Sequence, residues 1–200
     1  LAAGKGVIVA MTINEATNAV KNILDDDTFG EAGAKIVVEE FLEGEEASYI
    51  VITDGNQVVS LATSQDHKAR DNGDLGPNTG GMGAYSPAPV ITQDLDQRVM
   101  NEIIHPTLSG LKKDGINYLG FLYAGLMIDD AGNPKVLEYN CRFGDPETQP
   151  IMMRLKSDFV ELLLATINGS LSDHSVIWSE DVALGVVMAA GGYPIKYESG

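Results

Sequence analysis

Cysteine is nearly absent from this 200-residue sequence, where Cys141 stands alone. An internal disulfide is thereby excluded, as is a cysteine-rich metal centre, and a reducing, cytoplasmic setting is expected. Basic residues are also scarce, 13 Lys and Arg against 29 Asp and Glu, for a net charge of −16. A chain this poor in clustered bases repels a phosphate backbone, which excludes nucleic acid as a partner. A nucleotide is still compatible if the few bases gather at one site and a divalent cation offsets the remaining charge. Most of the acids, Asp25, Asp26 and Asp27 among them, read as solvated surface. No apolar run reaches the roughly 18 residues of a membrane span and no charged-then-apolar leader is present, so neither membrane insertion nor secretion is expected. Internal repeats and low-complexity blocks are missing too. Hydrophobic residues, 44% of the chain, suffice for a folded core, while the start at Leu1 and the end at Gly200 in a Gly/Tyr/Ser stretch suggest a fragment.

What is present centres on EYNCRFGDPETQ, Glu138 to Gln149. Side chains alternate along a strand, so Glu138, Asn140 and Arg142 point one way and Leu137, Tyr139 and Cys141 the other. A carboxylate and an amide oxygen on one face suit Mg²⁺, a hard cation that keeps part of its shell for substrate phosphates. Arg142 is then placed to oppose charge on a moving phosphoryl group. The competing reading is a half-buried strand showing its solvated side. Cys141 falls on the apolar side and reads as a packed thiol.

Two glycine-bearing segments lie upstream. LAAGKGVIVAM, Leu1 to Met11, is a small-residue loop with one lysine running into a strand-like stretch. It is not a Walker loop, because Gly6 follows Lys5 and a strand is expected next, and it lacks the dinucleotide fingerprint. Phosphate binding and an ordinary turn with a surface lysine both fit. LGPNTGGMGAYSPAP, Leu75 to Pro89, has the glycines of an anion-binding nest, with a long flexible surface loop as the alternative.

The remaining pattern is α+β. Thr12-Ile13-Asn14-Glu15 is a candidate capping box ahead of a stripe of Ile13, Ala16, Val20, Ile23 and Leu24. A strand is expected over Lys35 to Leu42, and a hairpin over 47–63 turning at Asp54-Gly55. A helix is expected over Asp94 to Lys113, bent at Pro106. A second hairpin runs from Gly120 to Cys141 through DDAGNP, and helical segments follow between Gln149 and Asn168. VALGVVMAA reads as the first strand of another unit, short of partners.

Taken together, LAAGKGV, VVEEFLEGEEAS, ATSQDHK, GPNTGGMGAYSP, GFLYAGLM, EYNCRFGDPETQP and LGVVMAAGGYP resemble the phosphoribosylamine–glycine ligase family of the ATP-grasp superfamily, collinearly from Leu1 to Gly200. The run RFGDPETQ is specific to that family, whereas glutamate-x-asparagine-x-arginine is shared more widely. The resemblance implies an ATP-grasp fold of antiparallel sheets and helices, with ATP held between two lobes. Residues 1–42 would belong to the small lobe, 43–180 to the large lobe with the metal and substrate site, and 181–200 to the start of a truncated C-terminal domain. It also implies that Val38 and Leu42 flank the purine, that the backbone near Glu40 and Phe41 bonds its edge, and that Glu45 takes the ribose hydroxyls. Gly4, Lys5 and Gly6 would close over the phosphates, and Glu138 and Asn140 would hold Mg²⁺ or Mn²⁺. Asn78, Thr79, Gly80 and Gly81 would hold an anionic group, with Asp66 and Lys68 on the substrate side and His67 at the surface. Asp145 and Glu147 would orient Arg142, bind the substrate amine, or cap the next helix. The implied reaction joins glycine to 5-phosphoribosylamine through glycyl phosphate in a cytoplasmic, monomeric enzyme. The strand before the metal pair, Ala124 to Met127, offers no second metal carboxylate, and the family's N-terminal substrate region is missing.

Overall fold

The computed structural model describes residues 7–24 and 33–197. Helix α1 (Ile13–Leu24) opens on the expected capping box. Thr12 Oγ1 accepts the Glu15 N–H at 3.2 Å, and the Glu15 carboxylate accepts the Thr12 N–H at 2.9 Å. No residue of α1 is buried among the described residues, so its apolar stripe is uncovered by them. The strand expected over 35–42 is absent, and Val37 and Val38 are 82% and 84% exposed. Valine favours strands because it packs on a pleated, half-covered surface, and no described strand pairs with this segment.

Strands β1 (Glu45–Thr53) and β2 (Val58–Ser60) form the first hairpin, in register Thr53 with Val58. The turn is built by Asp54, whose Oδ1 accepts the N–H groups of Asn56 and Gln57 at 2.9 and 2.7 Å. Strands β3 (Gln65–Asp71) and β4 (Leu75–Ser86) follow. Next come α2 (Gln93–Val99), a π-helical turn (Met100–Ile104) and α3 (His105–Lys113). Thr92 caps α2 by accepting the Leu95 N–H at 3.2 Å. The bend expected at Pro106 takes the form of that π turn: proline has no N–H for the carbonyl four residues back, and the ladder slips just ahead of it. The second hairpin is β5 (Gly120–Ile128) and β6 (Pro134–Asn140), then α4 (Thr148–Arg154), α5 (Phe159–Asn168) and β7 (Ala183–Val186).

Two antiparallel sheets result, β2-β1-β5-β6 and β3-β4-β7. Strand β1 is covered on both sides. Ala47, Tyr49 and Val51 pack with Leu95, Val99, Ile103 and Ile104 of the α2–α3 helix, while Ile50 and Ile52 pack with Ile151, Leu162 and Leu171. Truncating one such wholly buried residue, Ile104→Ala for instance, costs about 2–5 kcal/mol through lost burial and the void left behind. The glycine-rich segment is strand β4 rather than a loop, paired with β3 on one side and β7 on the other. Its glycines serve close approach: a Cβ on Gly83 would stand 2.7 Å from the Gly185 carbonyl oxygen. Strand β7, expected to lack partners, thus completes the second sheet from Ala183 opposite Ser86 to Val186 opposite Gly83. Among the described residues no helix is long and apolar enough to cross a membrane.

Candidate functional site

Register decides which side chains meet. Glu138 pairs with Gly125 and Asn140 with Tyr123, while Gly125 and Tyr123 pair with Ser48 and Ile50 of β1. Paired residues share a face, so Glu138, Asn140, Tyr123, Ser48 and Glu46 all project from the side opposite the α2–α3 helix. Gly125 makes room there, since a Cβ on it would lie 3.2 Å from Glu138 Cγ. Asn140 Nδ2 donates to Glu138 Oε1 at 3.2 Å, so the proposed metal pair is in direct contact. The alternation fails one residue earlier. Leu126 pairs with Val136 and Gly125 with Glu138, leaving Leu137 as an extra residue in a bulge. Beyond the strand, Cys141 is exposed rather than packed, because the chain has already left the sheet when it reaches this residue.

Strand β3 lays a second row of charge against this face. Lys68 Nζ lies 2.9 Å from Glu46 Oε2. Burial disfavours the lysine charge, but Asp66, Glu46 and Glu138 outweigh it and raise the Lys68 pKa. Asp66 is 9% exposed, and its carboxyl is pushed up to about 6. Burial is the main cause; Lys68 opposes the rise, and Glu147 and Glu46 add to it. Asp66 and Lys68 therefore sit within β3, and Lys68 lies near Glu138.

The segment after β6 folds back over the sheet. Glu147 is 2% exposed, and its Oε1 accepts the Ser48 hydroxyl at 2.7 Å. Ser48 Oγ is also 3.0 Å from the Tyr123 hydroxyl. The single serine proton goes to the carboxylate, so Tyr123 donates to Ser48. Burial, then Glu147 and Asp66, raises the Tyr123 pKa and keeps that proton in place. Glu147 makes no side-chain cap to α4, which removes the capping role. Arg142 is exposed and donates to the Phe143 carbonyl at 2.8 Å; among the described residues it pairs with neither Asp145 nor Glu147. Asp145 is exposed.

Other expected residues fall elsewhere. Thr79 is buried, donates its hydroxyl to the Lys68 carbonyl at 2.9 Å and accepts the Gly81 N–H at 3.0 Å. The first of these bonds ties β4 to β3, and the second lies within β4. Asn78 is paired with Ala69, and the Gly80 N–H is directed to the Tyr193 hydroxyl at 3.5 Å. Gly81 lies under Pro146, where a Cβ would collide with the proline ring. Glu45 pairs with Ile128 and takes the helix-side face, lining a cleft of about 420 Å³ with Thr92, Arg98 and Asp129. Both oxygens of Glu40 are held by Lys135, at 2.7 and 2.8 Å. Phe41 is 55% exposed and Leu42 half-buried. Gly4, Lys5 and Gly6 lie outside the described residues. Sequence reasoning passed over Ser48, Tyr123 and Lys135. Ser48 carried one readable signal, a small polar side chain two residues from Glu46 and immediately ahead of the run Tyr49 to Ile52.

Glu138 and Asn140 offer one carboxylate and one amide oxygen, and no cluster of three or more His, Cys, Asp or Glu ligands occurs among the described residues. That donor set fits a cation that completes its shell with water and phosphate oxygens. The model of the phosphoribosylglycinamide synthetase ATP-grasp (A) domain matches residues 1–148, which takes in the whole cluster from Glu46 to Glu147. The chain belongs to this family. A family relative, phosphoribosylamine–glycine ligase of Escherichia coli O157:H7, is 64% identical over all 200 residues. The chain spans 47% of that relative's length. The crystal structure of the Thermotoga maritima phosphoribosylamine–glycine ligase superposes with a TM-score of 0.82 at 36% identity, over 99% of this chain and 49% of that one. At the level of fold alone, an L-amino acid ligase from Bacillus licheniformis superposes with a TM-score of 0.67 at 19% identity, over 94% of this chain and 45% of that one. The ATP-grasp architecture expected from the sequence is thus the observed one, and the family's A domain accounts for both sheets except β7.

Proposed function

We propose that this chain carries the ATP-binding and catalytic part of a phosphoribosylamine–glycine ligase, which joins glycine to 5-phosphoribosylamine at the expense of ATP in purine biosynthesis. The observation that carries the reading is the meeting of Glu138 and Asn140 with Lys68 and Asp66 on one face, below the turn that bears Arg142. In the reaction, a glycine carboxylate oxygen forms a bond to the γ-phosphorus of ATP as the bond to the ADP oxygen breaks. The amine of phosphoribosylamine then attacks the acyl carbon, phosphate leaves, and the amine gives up a proton. No protein nucleophile is needed, so the chain's task is positioning and charge stabilisation.

Glu138 and Asn140 would hold a divalent cation, Mg²⁺ or Mn²⁺, which supplies charge neutralisation at the phosphate oxygens. Arg142, exposed and free of carboxylate partners among the described residues, opposes negative charge on the transferring phosphoryl group. Lys68 keeps its proton and orients ligands beside Asp66. Lys5, with Gly4 and Gly6, would supply charge and close backbone approach for the ATP phosphates, and the segment from Glu40 to Leu42 would meet the adenine. In this reading residues 1–42 belong to the small lobe and residues 43–180 to the large lobe, residues 181–200 lend β7 to the large lobe's second sheet and then open the domain that follows, and the enzyme works as a cytoplasmic monomer.

A coupled ADP-release assay with glycine and freshly generated phosphoribosylamine, added singly and together, tests the proposal. ADP release only with both substrates and a divalent cation is expected. Equal turnover with a different amine or carboxylate would assign the site to another ATP-grasp ligase.

A further inference from the structure

We infer that the hydrogen-bond chain from Tyr123 through Ser48 to Glu147 is a positioning device that sets Arg142 for the ligase reaction. The inference rests on the role proposed for Arg142. Three separate elements contribute. Tyr123 stands on β5, Ser48 on β1, and Glu147 ends the six-residue segment Arg142-Phe143-Gly144-Asp145-Pro146-Glu147 that returns over the sheet. The chain has one direction, Tyr123 to Ser48 to Glu147 Oε1, at 3.0 and 2.7 Å. Every group in it is buried.

The alternative for Glu147 is direct contact with a substrate amine, and the geometry disfavours it. The second oxygen, Oε2, has no hydrogen-bond partner among the described residues and no accessible surface. It is folded under its own turn, so close to Gly144 that a Cβ there would stand 2.6 Å away. A ligand on the open face cannot reach it without displacing the turn. What Glu147 can do from beneath is fix the turn's height and angle above β1. On the other side Pro146 rests on Gly81 of β4, where no side chain fits between them. The turn is thus gripped at its C-terminal end from two strands, while its N-terminal end continues from the metal pair on β6. Arg142 lies between those two anchors, and among the described residues its side chain donates only to the neighbouring Phe143 carbonyl. Its placement therefore depends on the path of the main chain, and that path depends on the buried relay.

The experiment is a double-mutant cycle in the protein as its gene encodes it, comparing Ser48→Ala and Tyr123→Phe in the parent and in an Arg142→Lys background. In the parent each is expected to lower kcat on the order of tenfold, with KM for ATP, glycine and phosphoribosylamine within about twofold. In the Arg142→Lys background that loss should largely vanish, because the group being positioned is already compromised. Glu147→Gln, which still accepts from Ser48, should keep most of the activity that Glu147→Ala loses. The same fold-loss in both backgrounds overturns the inference, as does a large rise in KM for glycine or the amine in Glu147→Gln, which would mark a substrate contact. Should Ser48→Ala not fold, the milder Tyr123→Phe carries the cycle. If Arg142→Lys alone leaves kcat unchanged, the role proposed for Arg142 falls with it; if Arg142→Lys is impaired and the cycle is additive, only the positioning inference falls.

Discussion

Replacing Asp66 with asparagine should stabilise the fold at neutral pH and impair the enzyme. The Asp66 carboxyl is buried beside Glu147 and Glu46, and its pKa rises from 3.8 to about 6 in the folded chain. A raised carboxyl pKa means that the folded state holds the proton more tightly than the unfolded chain. Its contribution is fully present below the unfolded value and is lost as pH rises through about 6. A difference of roughly 2 units at about 1.4 kcal/mol each sets an upper limit near 3 kcal/mol for the penalty carried by the ionised group at pH 7.5. The uncharged amide of the Asp66→Asn variant would carry no such penalty, and Lys68 would keep Glu46 at 2.9 Å as its partner. A net gain of about 1–3 kcal/mol is therefore expected at pH 7.5, or roughly 3–10 °C in Tm for a chain of this size. Calorimetric melting of parent and Asp66→Asn across pH 4–8 should give curves that coincide near pH 4 and diverge in favour of the variant above pH 6. Parallel curves, or a variant that melts below the parent at pH 7.5, would refute the electrostatic account. A drop in turnover in the same preparation would identify the penalty as one retained for function.

Glu138→Gln keeps the shape of the side chain but removes a ligand charge, so turnover at ordinary Mg²⁺ should fall by about tenfold or more with an unchanged circular dichroism spectrum; full activity would remove Glu138 from the metal site. Gly81→Ala meets both a φ of +127° and the Pro146 ring, and should cost on the order of 1–3 kcal/mol, read as a lower urea midpoint; an unshifted midpoint would mean that the turn does not rest on β4. Asp54→Ala would strip acceptors from the Asn56, Gln57 and Leu171 N–H groups and should cost about 2–4 kcal/mol by thermal melting, while Asp54→Asn recovers part of that loss; equal melting of the two would argue against the turn hydrogen bonds.

The parts of this fold legible in the sequence are those decided within a few residues. Asp54-Gly55 and DDAGNP specify their turns through a carboxylate that bonds the next few N–H groups, and the structure shows this at Asp54 and Asp129. The capping box at Thr12 and Glu15 is equally local. The glycine-rich stretch was not legible, because glycine permits a strand as readily as a loop and the choice was made by β3 and β7, the latter about a hundred residues on. Ser48 and Glu147 are 99 positions apart, and neither residue type announces the other. Glu45 and Glu46 have the same chemistry side by side, and only the register with β5 tells which of the two faces Lys68. The family resemblance, by contrast, could be read directly, since it rests on the order of several motifs and requires no knowledge of which residues touch.

The extra residue at Leu137 gives β6 two independent phases. In an unbroken strand Val136 and Glu138 would be tied to the same side, and any shift that improved the hydrophobic packing of one would drag the other out of place. Here the slack at Leu137 lets Val136 settle among the aliphatic residues beside α2–α3 while Glu138 keeps its aim at the opposite surface. The half of the strand that packs should accept substitutions without passing them on to the half that carries Glu138 and Asn140. Deleting Leu137 would leave both orientations unchanged on paper but would couple them rigidly, so that the same core substitution tolerated before would then misdirect Glu138 and Asn140.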